Sequence, residues 1–166
     1  MRPESPWPSL LLVLALAAGF VLYTADSLPP LVASHFAGGG AANGFMPHDA
    51  YVALMLALVV GLPLLLAALT GLSRYAPVER MNLPNRDYWL APEREAETLA
   101  YLAGRGAGFA KRLAVFLAFV HWLVVKANAG QPPHFPEALF FAGLAVFVAA
   151  LVLWLAGFVA HFRRPG

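Results

Sequence analysis

The sequence predicts an all-α integral membrane protein: a four-helix transmembrane bundle with an interfacial cytoplasmic helix. Hydrophobic residues make up 60% of the 166 residues and charged residues only 12%, whereas about a quarter of the residues in soluble domains are charged. The apolar residues also gather in four long segments, each close to the roughly 20 residues that a helix needs to cross a bilayer. Residues 1–166 are therefore predicted to form a single membrane domain.

The four predicted spans are residues 7–25, 51–72, 109–128 and 137–162. The first two contain no charged residue, and Pro63 in the second is expected to kink that helix. Cleavage of the first span as a signal peptide is not expected. Its apolar stretch is longer than a signal core, and Tyr23 stands where a small residue would precede the cut.

The distribution of basic residues predicts the orientation. Ten of the eleven lysines and arginines lie before the first span, between the second and third spans, at the start of the third (Lys111 and Arg112), or after the fourth. Only Lys126 lies on the other side. The positive-inside rule therefore places both termini and the loop 73–108 in the cytoplasm, and the loop 26–50 outside.

Composition also excludes several classes of site. The chain has no cysteine, so disulfides, thiolate metal sites and iron–sulfur clusters are excluded. The basic residues follow topology and form no cluster, so nucleic acid is not a predicted partner. No nucleophile–base arrangement or phosphate-binding glycine loop is present, and residues 38–40 are not followed by the Lys-Ser of a P-loop. We expect no catalysis and no cofactor other than a metal.

The outer loop 26–50 combines prolines, glycines and apolar residues. It shows no periodicity long enough to predict a helix or strand, and Asn43-Gly44 is a turn signal. Its apolar content predicts that it lies against the outer membrane surface or caps the bundle.

The cytoplasmic loop 73–108 contains a predicted helix. Pro92 suits its first turn, Glu93 and Glu95 suit its positive end, and Gly104 is its expected stop after Ala103. An apolar stripe is predicted to lie on the membrane or against the bundle. The stripe comprises Ala96, Leu99, Ala100 and Ala103.

Two stretches carry a resemblance to a known family. Residues 28–45 contain Leu-Pro, then His-Phe, then Asn-Gly, and residues 82–93 read NLPNRDYWLAPE, with one predicted span between them. This pattern resembles a small bacterial membrane domain of unknown function, which also forms the N-terminal domain of Sdp-type toxin-immunity (SdpI-like) membrane proteins. The resemblance implies a multi-pass protein of the bacterial inner (cytoplasmic) membrane with one motif on each side. The outer-loop interaction residues are Pro29, His35, Phe36, Asn43 and Gly44. The cytoplasmic motif comprises Asn82, Pro84, Asn85, Arg86, Asp87, Tyr88, Trp89, Pro92 and Glu93.

Three histidines are predicted on the outer side together with several carboxylates. Imidazole and carboxylate ligands suit zinc or copper(II), but the spacing of the histidines is loose. The interpretation that we favour is that the first of them holds the glycine-rich loop by hydrogen bonds to backbone carbonyls, while the other two lie in solvent at helix starts. Contact with a ligand or peptide is a further alternative. These histidines are His35, His48 and His134.

His121 is the one titratable side chain deep in a predicted span. A polar group in lipid needs a partner, so His121 must face another helix or a wet cavity. A neutral His121 hydrogen-bonded to a neighbouring helix is favoured, and a place on a proton or transport path is the alternative.

The aromatic and basic residues of the cytoplasmic loop have predicted roles at the membrane surface, and the arginines have two alternative ones. Tyr88 and Trp89 suit the membrane interface. The arginines near them either hold lipid phosphates or a partner's carboxylates, or they pair within the loop. The arginines are Arg80, Arg86 and Arg94, and the acidic residues are Glu79, Asp87 and Glu93.

The expected function is that of a non-catalytic interaction module embedded in the lipid bilayer. It would be an accessory subunit of a membrane complex, or a sensor or immunity-type binder of an external peptide. His35 and Phe36 would present the outer surface, and Arg86, Tyr88 and Trp89 the inner one. The alternatives are a small transporter with His121 near the path, and metal binding by the outer histidines.

Overall fold

A computed structural model of the chain describes residues 5–72, 75, 77 and 81–163. These residues are mostly helical, and four helices are long and apolar enough to cross a membrane. The elements in chain order are α1 (Trp7–Ala25), β1 (Leu31–Phe36), β2 (Ala42–Pro47), α2 (His48–Leu56), a π-helical segment (Ala57–Gly61), α3 (Leu62–Leu72), α4 (Arg86–Trp89), α5 (Glu95–Asn128) and α6 (Glu137–Arg163).

Three of the four long helical segments share a core. Helix α1, the second segment (α2, the π-helical segment and α3) and α5 pack together in two buried clusters. The cluster nearer the two strands contains larger side chains, including Val21, Tyr51 and Val59. The cluster at the opposite end is rich in alanine, so α3 and α5 approach closely there.

Gly106 of α5 lies directly against Thr70 of α3. A Cβ placed on Gly106 would meet Thr70 Oγ1 well inside van der Waals contact and would lie 2.5 Å from Thr70 Cβ. Ala107 and Ala110 beside it are buried as well. The absence of a side chain at position 106 therefore sets the distance between these two helices.

Helix α6 lies at the edge of this core. Its most apolar 18-residue stretch is 0% buried, against 22–28% for the other three long helices. Its principal neighbour is α5. The predicted four helical segments are confirmed, but three of them form the bundle and the fourth lies alongside α5.

The second long segment is irregular in its middle. It runs from His48 to Leu72 and changes from α to π geometry over Ala57–Gly61. Pro63 lies two residues after this π-helical segment and has no N–H to donate to the preceding turn. The irregularity expected at Pro63 thus takes the form of a wide π turn just before it.

The prediction that the outer loop has no regular element is wrong. Strands β1 and β2 form an antiparallel hairpin in which Leu31 pairs with Pro47 and Ala33 with Phe45. The turn lies at Gly39 and Gly40, which have positive φ values of 88° and 81°. Asn43-Gly44, predicted as a turn, lies inside β2. Register shifts around His35 and the small residues of both strands hide the alternation that would have predicted them.

The prediction of a separate cytoplasmic helix that stops at Gly104 is also wrong. Helix α5 begins at Glu95 and continues through Gly104 to Asn128 as one helix of 34 residues. Glycine inside a helix costs about 1 kcal/mol, and the packing of α5 against α1 and α3 outweighs that cost. Pro92 lies in the turn before α5, and the short helix α4 precedes it.

Candidate functional site

His121 joins three helices inside the core. Its side chain is fully buried in α5. Its Nε2 lies 2.8 Å from Thr24 Oγ1 of α1, and its Nδ1 lies 2.9 Å from Tyr51 OH of α2. The predicted hydrogen bond to a neighbouring helix is confirmed, and there are two such bonds.

The hydrogen-bond network around His121 favours one of its two neutral tautomers. The single hydroxyl proton of Thr24 is donated to the Phe20 carbonyl, 2.7 Å away. Thr24 Oγ1 therefore accepts from Nε2–H, which leaves Nδ1 to accept from the Tyr51 hydroxyl. A neutral His121 thus satisfies all these groups without a charge.

We expect His121→Leu to lower the free energy of unfolding by about 1–3 kcal/mol, because the buried Tyr51 hydroxyl loses its partner. Chemical unfolding in detergent micelles measures this loss. Tyr51→Phe provides the matched control: it should cost less in the His121→Leu background than in the wild type. Equal costs in both backgrounds would contradict the hydrogen bond.

Asn128 attaches the hairpin to α5. Its Oδ1 accepts from the Ala33 amide and its Nδ2 donates to the Ala33 carbonyl, both at 2.9 Å. Nδ2 also donates to the Val124 carbonyl. The buried amide group therefore satisfies the outward-facing N–H and C=O of Ala33 on the free edge of β1, as a third strand would at that position. Sequence reasoning missed this residue, although a polar side chain at the end of an apolar helix was a usable signal.

The tip of the hairpin is hydrogen-bonded to the segment between α5 and α6 and to the first residue of α6. The Phe135 amide donates to the Gly40 carbonyl at 2.8 Å, and the Gly39 amide donates to Glu137 Oε1 at 3.0 Å. The rings of Phe36 and Phe135 stack with centroids 5.0 Å apart. The hairpin thus caps the ends of the helices, as one of the two predictions for this loop stated.

The predicted outer-loop residues have different environments. His35 and Asn43 are exposed, whereas Pro29 and Phe36 are partly buried. Gly44 lies opposite His35, and a Cβ on Gly44 would be 2.9 Å from His35 Cβ. Gly44 is therefore required by this close approach of the two strands.

Each outer histidine has its own local contacts. His35 Nδ1 lies 3.0 Å from Ser34 Oγ. His48 Nδ1 pairs with Asp49 at 2.9 Å, and its Nε2 donates to the Ala25 carbonyl. His134 is exposed and forms a backbone bridge with Ala41. Within the described ranges there is no group of three or more histidine, aspartate or glutamate side chains that could hold a metal ion.

Two residues of the cytoplasmic motif cap the end of α6. Asn85 Nδ2 and Trp89 Nε1 both donate to the Phe162 carbonyl, at 2.9 and 3.1 Å. Asn85 adopts a left-handed backbone with φ 52° at the start of α4. Because the last carbonyls of a helix lack partners within it, these side chains stabilise the α6 terminus.

The aromatic residues of the motif also pack within the protein. His161 stacks between Trp89 and Tyr101, with centroid distances of 4.7 and 3.9 Å. The Arg94 guanidinium lies over the Tyr88 ring at 4.0 Å. Tyr88 and Trp89 were predicted to form an interaction surface on the cytoplasmic side. In the structure, most of their ring surface packs against other residues of the protein instead.

The other motif residues lie around this packed group. The exposed members are Asn82, Pro84, Asp87, Pro92 and Glu93. Arg86 is partly buried, and in the described part of the chain neither Arg86 nor Arg94 forms an ion pair with Asp87 or Glu93. Arg80 and Glu79 lie outside the described residues.

A comparison of the chain with known protein families, curated proteins and solved structures gives no match. The resemblance of its two motifs to Sdp-type proteins therefore stays a prediction.

Proposed function

We propose that the protein is a non-catalytic interaction module of a bacterial inner membrane, an accessory subunit or peptide sensor that binds its partner through the outer hairpin. The observation that supports this proposal is a hairpin fixed to the helices that exposes apolar side chains. Leu31 is 58% exposed and Phe45 is 52% exposed. Single exposed apolar residues are common, but a rigid patch containing an aromatic residue is typical of an interaction surface.

The strand register places these residues together. Leu31 pairs with Pro47 and Ala33 pairs with Phe45, so these four residues share one face of the hairpin, on which Leu31, Phe45 and Pro47 are exposed and Ala33 is buried. The opposite face packs on the core through Val32, which is fully buried. Val32 thus holds the hairpin in place, and the exposed side chains of Leu31, Phe45 and Pro47 on the other face can contact a partner.

The chemistry of this face indicates the kind of partner. The loop 26–50 contains no lysine or arginine. Its exposed strand residues are Leu31, His35, Asn43, Phe45 and Pro47. This mixture of apolar and neutral polar groups suits an uncharged or apolar peptide segment, free or part of a membrane protein.

The transport alternative has less support from the structure. Besides the Tyr51 hydroxyl that contacts His121, the buried polar side chains of the described residues are Thr98, His121 and Asn128. All three lie on α5, and the first two are separated by about 35 Å along that helix at 1.5 Å per residue. Both ring nitrogens of His121 have hydrogen-bond partners, and its side chain is fully buried. A continuous polar path would need more such groups between these levels.

Purification from the native host tests the proposal. A tagged chain extracted in mild detergent is compared with the double variant Leu31→Ala/Phe45→Ala by mass spectrometry of co-purifying proteins and peptides. Leu153→Ala is the matched control, since Leu153 is 73% exposed on α6, away from the hairpin. We expect the wild type and the control to retain a near-stoichiometric partner.

The double variant should retain about tenfold less, as expected when hot-spot side chains are truncated. Full retention by the double variant would overturn the assignment to the hairpin. A wild-type protein that purifies without any partner would overturn the interaction module itself.

A further inference from the structure

A groove runs between the middle parts of α5 and α6, and its Arg105 end is the one farther from the hairpin. Its volume is about 870 Å³. Aromatic and aliphatic side chains form most of its lining, with Phe116 and Phe147 stacked at a centroid distance of 4.4 Å. Because the apolar stretch of α6 is unburied, the groove opens to the surface that would face lipid.

Polar donors gather at one end of the groove. The Arg105 guanidinium lies over the Trp154 ring at 4.5 Å. Arg112 Nη1 donates to the Gly108 carbonyl, and a Cβ on Gly108 would lie 3.3 Å from that Nη1 and 3.8 Å from Trp154 Nε1. Two guanidinium groups and an indole N–H therefore surround one position on α5.

Two of these donors lack acceptors. Arg105 Nε and Trp154 Nε1 are buried and have no hydrogen-bond partner in the described part of the chain. Buried donors without a partner are rare and destabilising. The groove lining also contains no aspartate or glutamate that would neutralise the two arginines. This end is therefore complementary to an anion with several acceptor oxygens.

The dimensions of the groove fit a lipid. Arg105 and Phe119 mark its two ends, which are about 21 Å apart along the helix. At the Phe119 end the helices meet, because a Cβ on Gly143 would lie 2.6 Å from Phe119 Cζ. One leaflet of a bilayer contributes about 15 Å of hydrocarbon, half of the roughly 30 Å core. A headgroup and one acyl chain match this length.

We propose that the groove binds one anionic phospholipid. Its phosphate accepts from Arg105, Arg112 and Trp154, and one acyl chain lies along Phe116 and Phe147. The donors select an anion, and the apolar walls favour a lipid over free phosphate. Basic pockets between membrane helices on the cytoplasmic side are known to hold such headgroups, and the predicted orientation places this end there.

Thermal unfolding of the purified full chain in detergent tests the proposal. Phosphatidylglycerol, phosphatidylcholine and inorganic phosphate are added separately, and native mass spectrometry counts retained lipids. We expect phosphatidylglycerol to raise the Tm and to be retained at one molecule per chain. Equal effects of phosphatidylcholine would overturn the anion selectivity, and equal effects of inorganic phosphate would overturn the role of the acyl chain.

Arg112→Gln tests the headgroup contact without disturbing a buried residue, since Arg112 is exposed. We expect its affinity for phosphatidylglycerol to fall about tenfold or more, as for the loss of a charge-assisted hydrogen bond. Lys126→Gln is the matched control, because Lys126 is an exposed cation on the same helix but at the hairpin end. Unchanged affinity in Arg112→Gln, or an equal fall in Lys126→Gln, would overturn the site.

Discussion

Replacing Gly106 by alanine is expected to lower the free energy of unfolding by about 1–3 kcal/mol, the usual cost of overpacking. The added Cβ would lie 2.5 Å from Thr70 Cβ, and rotation of the Thr70 side chain cannot move that atom away. Helices α3 and α5 must then separate along the alanine-rich cluster. Chemical unfolding in detergent micelles measures the loss.

Two further variants test this explanation. Gly104→Ala is the matched control on the same helix, because a Cβ there meets nothing within 4 Å. It should leave stability unchanged or raise it by up to about 1 kcal/mol through helix propensity. Adding Thr70→Gly to Gly106→Ala removes the obstructing atom and should restore part of the lost stability. Equal behaviour of the two alanine variants would contradict the close approach of the helices.

The second large effect is expected for Asn128→Ala. This change leaves the buried amide and carbonyl groups of Ala33 without partners, at about 1–3 kcal/mol for each group. The hairpin should loosen from α5 while the helices stay packed. Hydrogen exchange at the Ala33 amide therefore reports the loss directly, and thermal unfolding reports its effect on the whole protein.

Asn43→Ala is the control for this prediction. Asn43 is the same residue type in the same hairpin, but it is exposed on β2. Its replacement should leave both the Tm and the protection of the Ala33 amide close to the wild-type values. An Ala33 amide that stays protected in Asn128→Ala would show that the side chain does not hold the strand.

The long helices could be predicted because their signal is local. A sufficiently long apolar run defines a membrane-length helix on its own, and the first predicted span, 7–25, has the same limits as α1. The fourth, 137–162, ends one residue before α6. Insertion of these helices into a bilayer stays a prediction, as does the orientation derived from the basic residues.

The missed elements depend on contacts between distant residues. Strand β1 is completed by Asn128, which lies 95 residues from Ala33. The continuation of α5 past Gly104 depends on α1 and α3, which no local propensity reveals. Sequence patterns describe a segment by itself, whereas these features result from what packs against it.

In the candidate sites, too, local features could be predicted from the sequence, whereas contacts between distant residues could not. A hydrogen-bond partner for His121 could be predicted from the cost of burying an imidazole, but Thr24 and Tyr51 could not be named. The cytoplasmic motif was predicted as an inner surface, yet Asn85 and Trp89 reach a carbonyl at Phe162, 77 and 73 residues away. Residue type indicated the need for a partner, and only the fold supplied its identity.

The π-helical segment has a consequence for the angular position of side chains along the second long segment. Its most buried positions recur at four-residue intervals: Tyr51, Met55, Val59, Pro63 and Ala67. A regular α-helix turns about 100° per residue, so this series would drift by about 160° over its length. The wider turn at Ala57–Gly61 offsets part of that rotation. Because the drift is reduced in the middle of the segment, its buried side chains stay on the side that faces the core. Tyr51 can therefore contact His121 at one end while Ala67 packs against α5 at the other.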